Sequence, residues 1–248
     1  MLLYALLFAV AVWAGIQNAL AGGGTFITFP VLLMAGLDAR AANITSTIAL
    51  FPGQVTTALA GRSQVSGNAQ ISFRALFAIS IVGGAVGAGL LLLTPSAFFE
   101  RLVPFLVLVA TGIFTWGSFF RRTGEDGLHL GRASLACAQF AIAVYGGYFG
   151  GGIGILMLAA LTAAGWQFRH AGATKNALAG VMNAAAVLVF AFSPDVDWIK
   201  AGVLAAGSII GGQIGAYLLM RINLNLLRAF VVLIGLVLTV GLFARAYG

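Results

Sequence analysis

Apolar runs long enough to cross a lipid bilayer follow one another along this chain and leave room for little else. A helix of about 20 residues spans a hydrocarbon core of about 30 Å. Segments 41 to 60, 72 to 93 and 102 to 119, and then 171 to 192, 199 to 220 and 229 to 244, approach or meet that length. In a chain of 248 residues that is 61% hydrophobic and only 8% charged, with a mean hydropathy of +1.05, the pattern means an all-α polytopic membrane protein. Helices are required because every backbone N–H and C=O must be paired where water is absent. Asp38, Glu100, Glu125, Asp126, Asp195 and Asp197 sit between the apolar runs, so no carboxylate is expected inside a span.

The formal charge of +7 is spread as single arginines at the ends of these runs. Such residues mark topology, and no basic stripe for nucleic acid is present. The single cysteine, Cys137, supports neither a disulfide framework nor a metal cluster. No nucleotide-binding loop or nucleophile–base arrangement occurs, which speaks against an enzyme and against a cofactor. Residues 1 to 21 end in Ala-Leu-Ala but lack a basic flank and recur later in the chain, so a cleaved leader is not expected. The lipid bilayer is one expected partner; oligomeric state is open.

"FAVAVWAG" at 8 to 15 returns as "FAIAVYGG" at 140 to 147, and each copy is followed by a glycine triplet, Gly22, Gly23 and Gly24 or Gly150, Gly151 and Gly152. "RAANITST" at 40 to 47 then matches "RHAGATKN" at 169 to 176, Gln54 falls opposite Asn183, and "GGAVGAGLL" at 83 to 91 falls opposite "GGQIGAYLL" at 211 to 219. An internal duplication of this kind divides one transmembrane domain, 1 to 248, into a repeat over 1 to 120, a linker over 121 to 132 and a second repeat over 133 to 248. Each repeat holds three expected crossings after a glycine-broken segment, 2 to 35 or 133 to 164. After each break only about a dozen apolar residues remain, or about 18 Å of helix. These segments are expected to be helical hairpins that dip into the bilayer and return. An odd number of crossings per repeat inverts the second relative to the first. Placing the linker in the cytoplasm puts Arg62, Arg74, Arg121, Arg122, Arg132, Arg169, Arg221 and Arg228 inside, against Arg40, Arg101, Lys200 and Arg245 outside.

Broken helices at the interface of inverted repeats are a transporter architecture, with substrate near the midplane. The returning half-helices begin near Gly24 and Thr25, or near Gly152, and present free N–H groups that favour an anion. The competing reading is that the glycines only let helices pack closely. Asn43, Thr47 and Gln54 in one half, and Asn176 and Asn183 in the other, form a polar seam along the helix that follows each hairpin, with Thr45, Ser46, Thr174 and Lys175 beside them as further candidate ligands. Gln54 and Asn183 serve equally well as substrate ligands or as interhelical hydrogen-bond partners. Lys175 either snorkels to the cytoplasmic interface or supplies the positive charge of an anion site whose repeat counterpart is Ser46.

"AGGGTFITFPVLLMAGLDARAANITST" (21 to 47) and "GGYFGGGIGILMLAALTAAGWQFRHAGATKNALAGVMN" (146 to 183) resemble the sulfite exporter TauE/SafE family of membrane permeases. The resemblance covers nearly the whole chain. It implies a bacterial inner-membrane protein that moves sulfur-containing anions such as sulfite, thiosulfate or sulfoacetate. Gln17 and Asn18 precede the first glycine triplet where Tyr148 and Phe149 precede the second, an asymmetry within the pattern. A secondary transporter with a midplane anion site is the leading expectation, followed by a passive anion channel and by a membrane assembly factor that carries nothing.

Overall fold

A computed structural model describes residues 1–20, 22–116, 130–218 and 224–247. Ten α-helices account for most of them: α1 Leu2–Leu20, α2 Thr25–Met34, α3 Ala39–Ala60, α4 Phe73–Leu93, α5 Ser96–Thr115, α6 Arg132–Tyr148, α7 Ile153–Ala163, α8 Phe168–Phe190, α9 Trp198–Leu218 and α10 Leu224–Tyr247. No strand occurs among the described residues. Most of the expected linker, with Arg121 and Arg122, lies outside them, as does Arg221.

Five helices are long and apolar enough to cross a membrane: Leu2–Leu20, Phe73–Leu93, Ser96–Ile113, His170–Phe190 and Trp198–Leu218. Three departures from the sequence reading are instructive. First, α1 is itself a candidate span of 19 residues, whereas α2 and α7 have 10 and 11. Each broken segment is therefore a long leg followed by a half-length one, because the glycines interrupt the apolar run late. Second, α3 has 22 residues but is too polar to stand among these five, since Asn43, Thr45, Ser46, Thr47, Gln54, Thr56 and Thr57 lie along it. It can stay in the bundle because α2, α8 and α9 surround it. Third, α5 starts six residues earlier than the expected 102, placing Glu100 in its second turn. That carboxylate is tolerated near a helix end because it pairs with Arg245 at 3.2 Å and both side chains stay partly in solvent.

Packing partners repeat between the halves. α1 lies against α9 and α4 against α6, α3 meets α9 as α4 meets α8, and α3 crosses α8 while α5 packs on α10. Glycines permit the closest of these approaches. A methyl group on Gly87 of α4 would overlap the Val144 carbonyl oxygen on α6, and one on Gly211 of α9 would overlap that of Val12 on α1. In a lipid environment such backbone proximity supplies dispersion contacts that hydrophobicity cannot, since lipid is as apolar as the helix surface.

Hydrogen bonds at both ends of α3 fix its direction relative to α8. Near the start of α3, Thr45 Oγ1 accepts from the Asp197 backbone N–H at 3.2 Å, in the short connection from the end of α8 to α9. Past the end of α3, Ser66 meets the start of α8: its N–H donates to Thr174 Oγ1 at 3.2 Å, and its carbonyl accepts from Trp166 Nε1, just before α8, at 3.1 Å. The two third helices therefore run antiparallel.

Candidate functional site: a polar cavity between two broken helices

Backbone geometry creates the breaks. Gly22 and Gly23 have φ of 81° and 87°, and Gly150 and Gly152 have 78° and 76°, in the left-handed region that a side chain disfavours. The two breaks touch each other: a Cβ on Gly22 would lie 3.1 Å from Gly154 Cα, and one on Gly151 would lie 3.1 Å from Phe26 Cε1. Around α7 the N–H groups of Gly151, Gly152, Ile153 and Gly154 donate to nothing among the described residues. They form the positive end of a helix dipole aimed into the protein.

A cavity of about 20 Å³ lies beside this end. That is room for about one water. Gly22, Ile153 and Gly154 at the breaks line it together with the polar residues Asn18, Gln54, Thr57, Lys175 and Asn176. Lys175 is 4% exposed, so it does not snorkel to an interface. Its ammonium has no ion pair or hydrogen bond among the described residues. No carboxylate lines the cavity. A buried cation without a partner is costly, and an anion entering beside it would offset that cost.

Other residues of the polar seam lie elsewhere. Asn183 Nδ2 donates to Gln54 Oε1 at 2.6 Å where α3 and α8 cross, but Asn183 does not line the cavity. Ser46, the counterpart of Lys175, is fully buried and shares a hydrogen bond of 2.6 Å with Thr28 of α2. Thr47 Oγ1 donates to the Asn43 carbonyl at 2.9 Å, and Asn43 Nδ2 donates to the Tyr148 carbonyl at 3.0 Å, just before the second break. Thr45 and Thr174 are turned to the loops at opposite ends of the bundle, as described above. Gly23, Gly24, Thr25, Gly150, Gly151 and Gly152 shape the breaks without lining the cavity. Asn18 and Thr57 line it without having stood out as ligands in the sequence. The available signals were weak: an amide one turn before the first break, and a threonine one turn after Gln54 on the same helix face.

The ends of the bundle are closed differently. At the 193 to 198 end, Arg40 bridges Asp195 at 2.9 Å and donates to the Thr94 carbonyl at 3.0 Å, while Lys200 pairs with Asp197. Burial raises the Asp197 carboxyl, but the hydrogen bonds and charge of Lys200 outweigh it and hold the group below its ordinary value. At the 61 to 71 end the clamps are hydrogen bonds: Thr174 and Trp166 to Ser66, His170 Nδ1 at 3.0 Å from the Gln64 carbonyl oxygen, and Asn68 to the Ala164 carbonyl.

The sequence profile described as "Sulfite exporter TauE/SafE" matches residues 7–242. A "Probable membrane transporter protein" of Haemophilus influenzae is 30% identical over 247 residues, covering 96% of this chain and 93% of the relative. "Probable membrane transporter protein YfcA" of Escherichia coli K12 is 27% identical over 255 residues, covering 100% and 92%. A third relative, "Probable membrane transporter protein ORF9" of Sinorhizobium, is 27% identical over 245 residues. With five helices able to cross a bilayer and a family match over nearly its whole length, the chain is a multi-pass membrane protein that belongs to the TauE/SafE sulfite exporter family of membrane transporters.

Proposed function

We propose that the protein is a secondary transporter of small sulfur-containing anions, such as sulfite, thiosulfate, sulfoacetate or a related organosulfonate, in the bacterial inner membrane. The observation that carries this reading is Lys175: a buried ammonium with no partner, in a cavity with no carboxylate, beside the unpaired N–H groups that begin α7. Anion binding is what such a combination can do chemically. Lys175, Gln54, Asn176 and the backbone at Gly22, Ile153 and Gly154 are the proposed contacts. Catalysis plays no part in this reading.

Two inverted repeats, 1 to 120 and 133 to 248 with a cytoplasmic linker between, form one transport domain in this proposal. The antiparallel course of α3 and α8 and the interchange of packing partners support it. Alternating access then consists of rocking one half against the other, with the cavity exposed first to one face and then to the other. With no acidic side chain in the cavity wall, a carboxylate relay for a coupling proton or sodium ion has no place at the site.

Uptake into proteoliposomes tests the proposal, using sulfite, thiosulfate, sulfate, sulfoacetate and chloride in parallel. Saturable uptake with counterflow, weakened by Lys175→Gln, supports a transporter. Current with little saturation would make it a channel, and no flux of any anion would leave an assembly role.

A further inference from the structure

Gln54 and Asn183 occupy equivalent positions in the two halves and bond to each other, yet only Gln54 reaches the cavity. A primary amide presents an acceptor at one end and donors at the other. Beside an unpartnered ammonium, a freely rotating Gln54 would turn its carbonyl oxygen toward Lys175. That contact would satisfy the cation from within and compete with any anion. The hydrogen bond opposes that turn: Asn183 Nδ2 holds Gln54 Oε1 at 2.6 Å, while the Gln54 amide hydrogens have no partner among the described residues. Asn183 is suited to this task because it is 4% exposed and stands two turns beyond Asn176 on the same face of α8.

We infer that Asn183 is a positioning residue that orients the Gln54 carboxamide as a donor to the anion, and is not itself a ligand. The inference rests on the anion-site reading above. Its distinctive consequence is coupling: Asn183 should matter only while Gln54 is present.

The test is a double-mutant cycle on sulfite uptake in proteoliposomes at matched protein density. Asn183→Leu should raise the half-saturating sulfite concentration by about three- to tenfold, less than the roughly ten- to hundredfold of losing a hydrogen bond to an anion outright, because the Gln54 amide is misaimed and not removed. Gln54→Leu should raise it by a similar or larger factor, and adding Asn183→Leu to Gln54→Leu should change it by less than about twofold. Asn183→Asp keeps the shape and guards against a misfolded leucine variant. Its carboxylate accepts from the Gln54 amide, turns the oxygen to the cavity, and should be more damaging than leucine. Equal penalties for Asn183→Leu with and without Gln54, or a half-saturation indifferent to both Asn183 variants, would overturn the positioning role. If sulfite uptake is saturable and weakened by Lys175→Gln while Asn183 is silent, only this inference fails. Should no anion be taken up at all, the anion site and the inference fail together.

Discussion

The third helices of the two halves, α3 and α8, start from matching sequences and reach opposite outcomes. At position 46 of the first half a serine is satisfied internally by Thr28 of its own broken segment, and the site is closed. At position 175 of the second half stands a lysine, and the residue equivalent to Thr28 on α7 is Leu156, which cannot bond to it. Phe26 and Leu50, buried in the first half, correspond to Gly154 and Ala179, which line the cavity in the second. Duplication supplied the frame, and smaller residues beside an unpaired charge placed the cavity on one side of it. Polar content alone does not make a site, because a polar group already satisfied has nothing to offer a ligand.

The sharpest way to break the comparison is to deny that the halves are inverted. With Cys137→Ala as background, Ser63→Cys and Pro194→Cys are expected to react with an impermeant thiol reagent from opposite sides of the membrane. Both positions are exposed at opposite ends of α3. Labelling from one side only would end the inverted-repeat reading.

Close behind in size is the loss expected where the breaks touch. Gly22→Val forces a side chain into the left-handed region and against Gly154, and Gly151→Val drives one into Phe149 and Phe26. Uptake should fall below detection in each while membrane insertion, read by abundance, largely survives. Normal uptake would reduce the glycines to packing residues.

Lys175→Gln against Ser46→Ala compares the two half-sites directly. A hydrogen bond to a charged group contributes about 1.5 to 3 kcal/mol, so Lys175→Gln should raise half-saturation by roughly ten- to hundredfold. Ser46→Ala should leave it within about twofold and show its cost in thermal stability instead, since it removes one buried neutral hydrogen bond worth about 1 kcal/mol. Similar shifts in both variants would contradict the asymmetry.

The smallest effect concerns the two ends. Asp197 has its folded-state value depressed, so its contribution is present above the ordinary carboxylate range and is lost as pH falls through the lower folded value. Hydrogen exchange at residues 193 to 198 should therefore stay slow from neutral pH down to about pH 4 and quicken only in stronger acid. Asp197→Asn should remove that acid-dependent step while leaving exchange at residues 64 to 68 unchanged, because that end is held by hydrogen bonds to Ser66 and Ala164. An acid step that persists in Asp197→Asn would assign it to another group.

What could be read from the sequence follows from local rules. Membrane class, helical state, most span positions, the glycine breaks and the duplication depend on composition, period and spacing, which neighbouring residues carry among themselves. Lys175 stood out for the same reason, as a charge inside an apolar run. Its burial did not, because a snorkelling lysine and a buried one have identical neighbours in sequence. Packing decided the rest. The Gln54–Asn183 bond joins residues 129 apart in sequence, and the Ser66–Thr174 clamp joins residues 108 apart. Both exist because glycine faces let α1, α4, α6 and α9 close around the crossing of α3 and α8. Asn18 and Thr57 enter the cavity by that same closure, while Thr45 and Thr174, equally polar and on the same helices, are drawn away to the loops. Residue type dictates which groups need partners, and only the approach of distant backbones decides which of them are left without one.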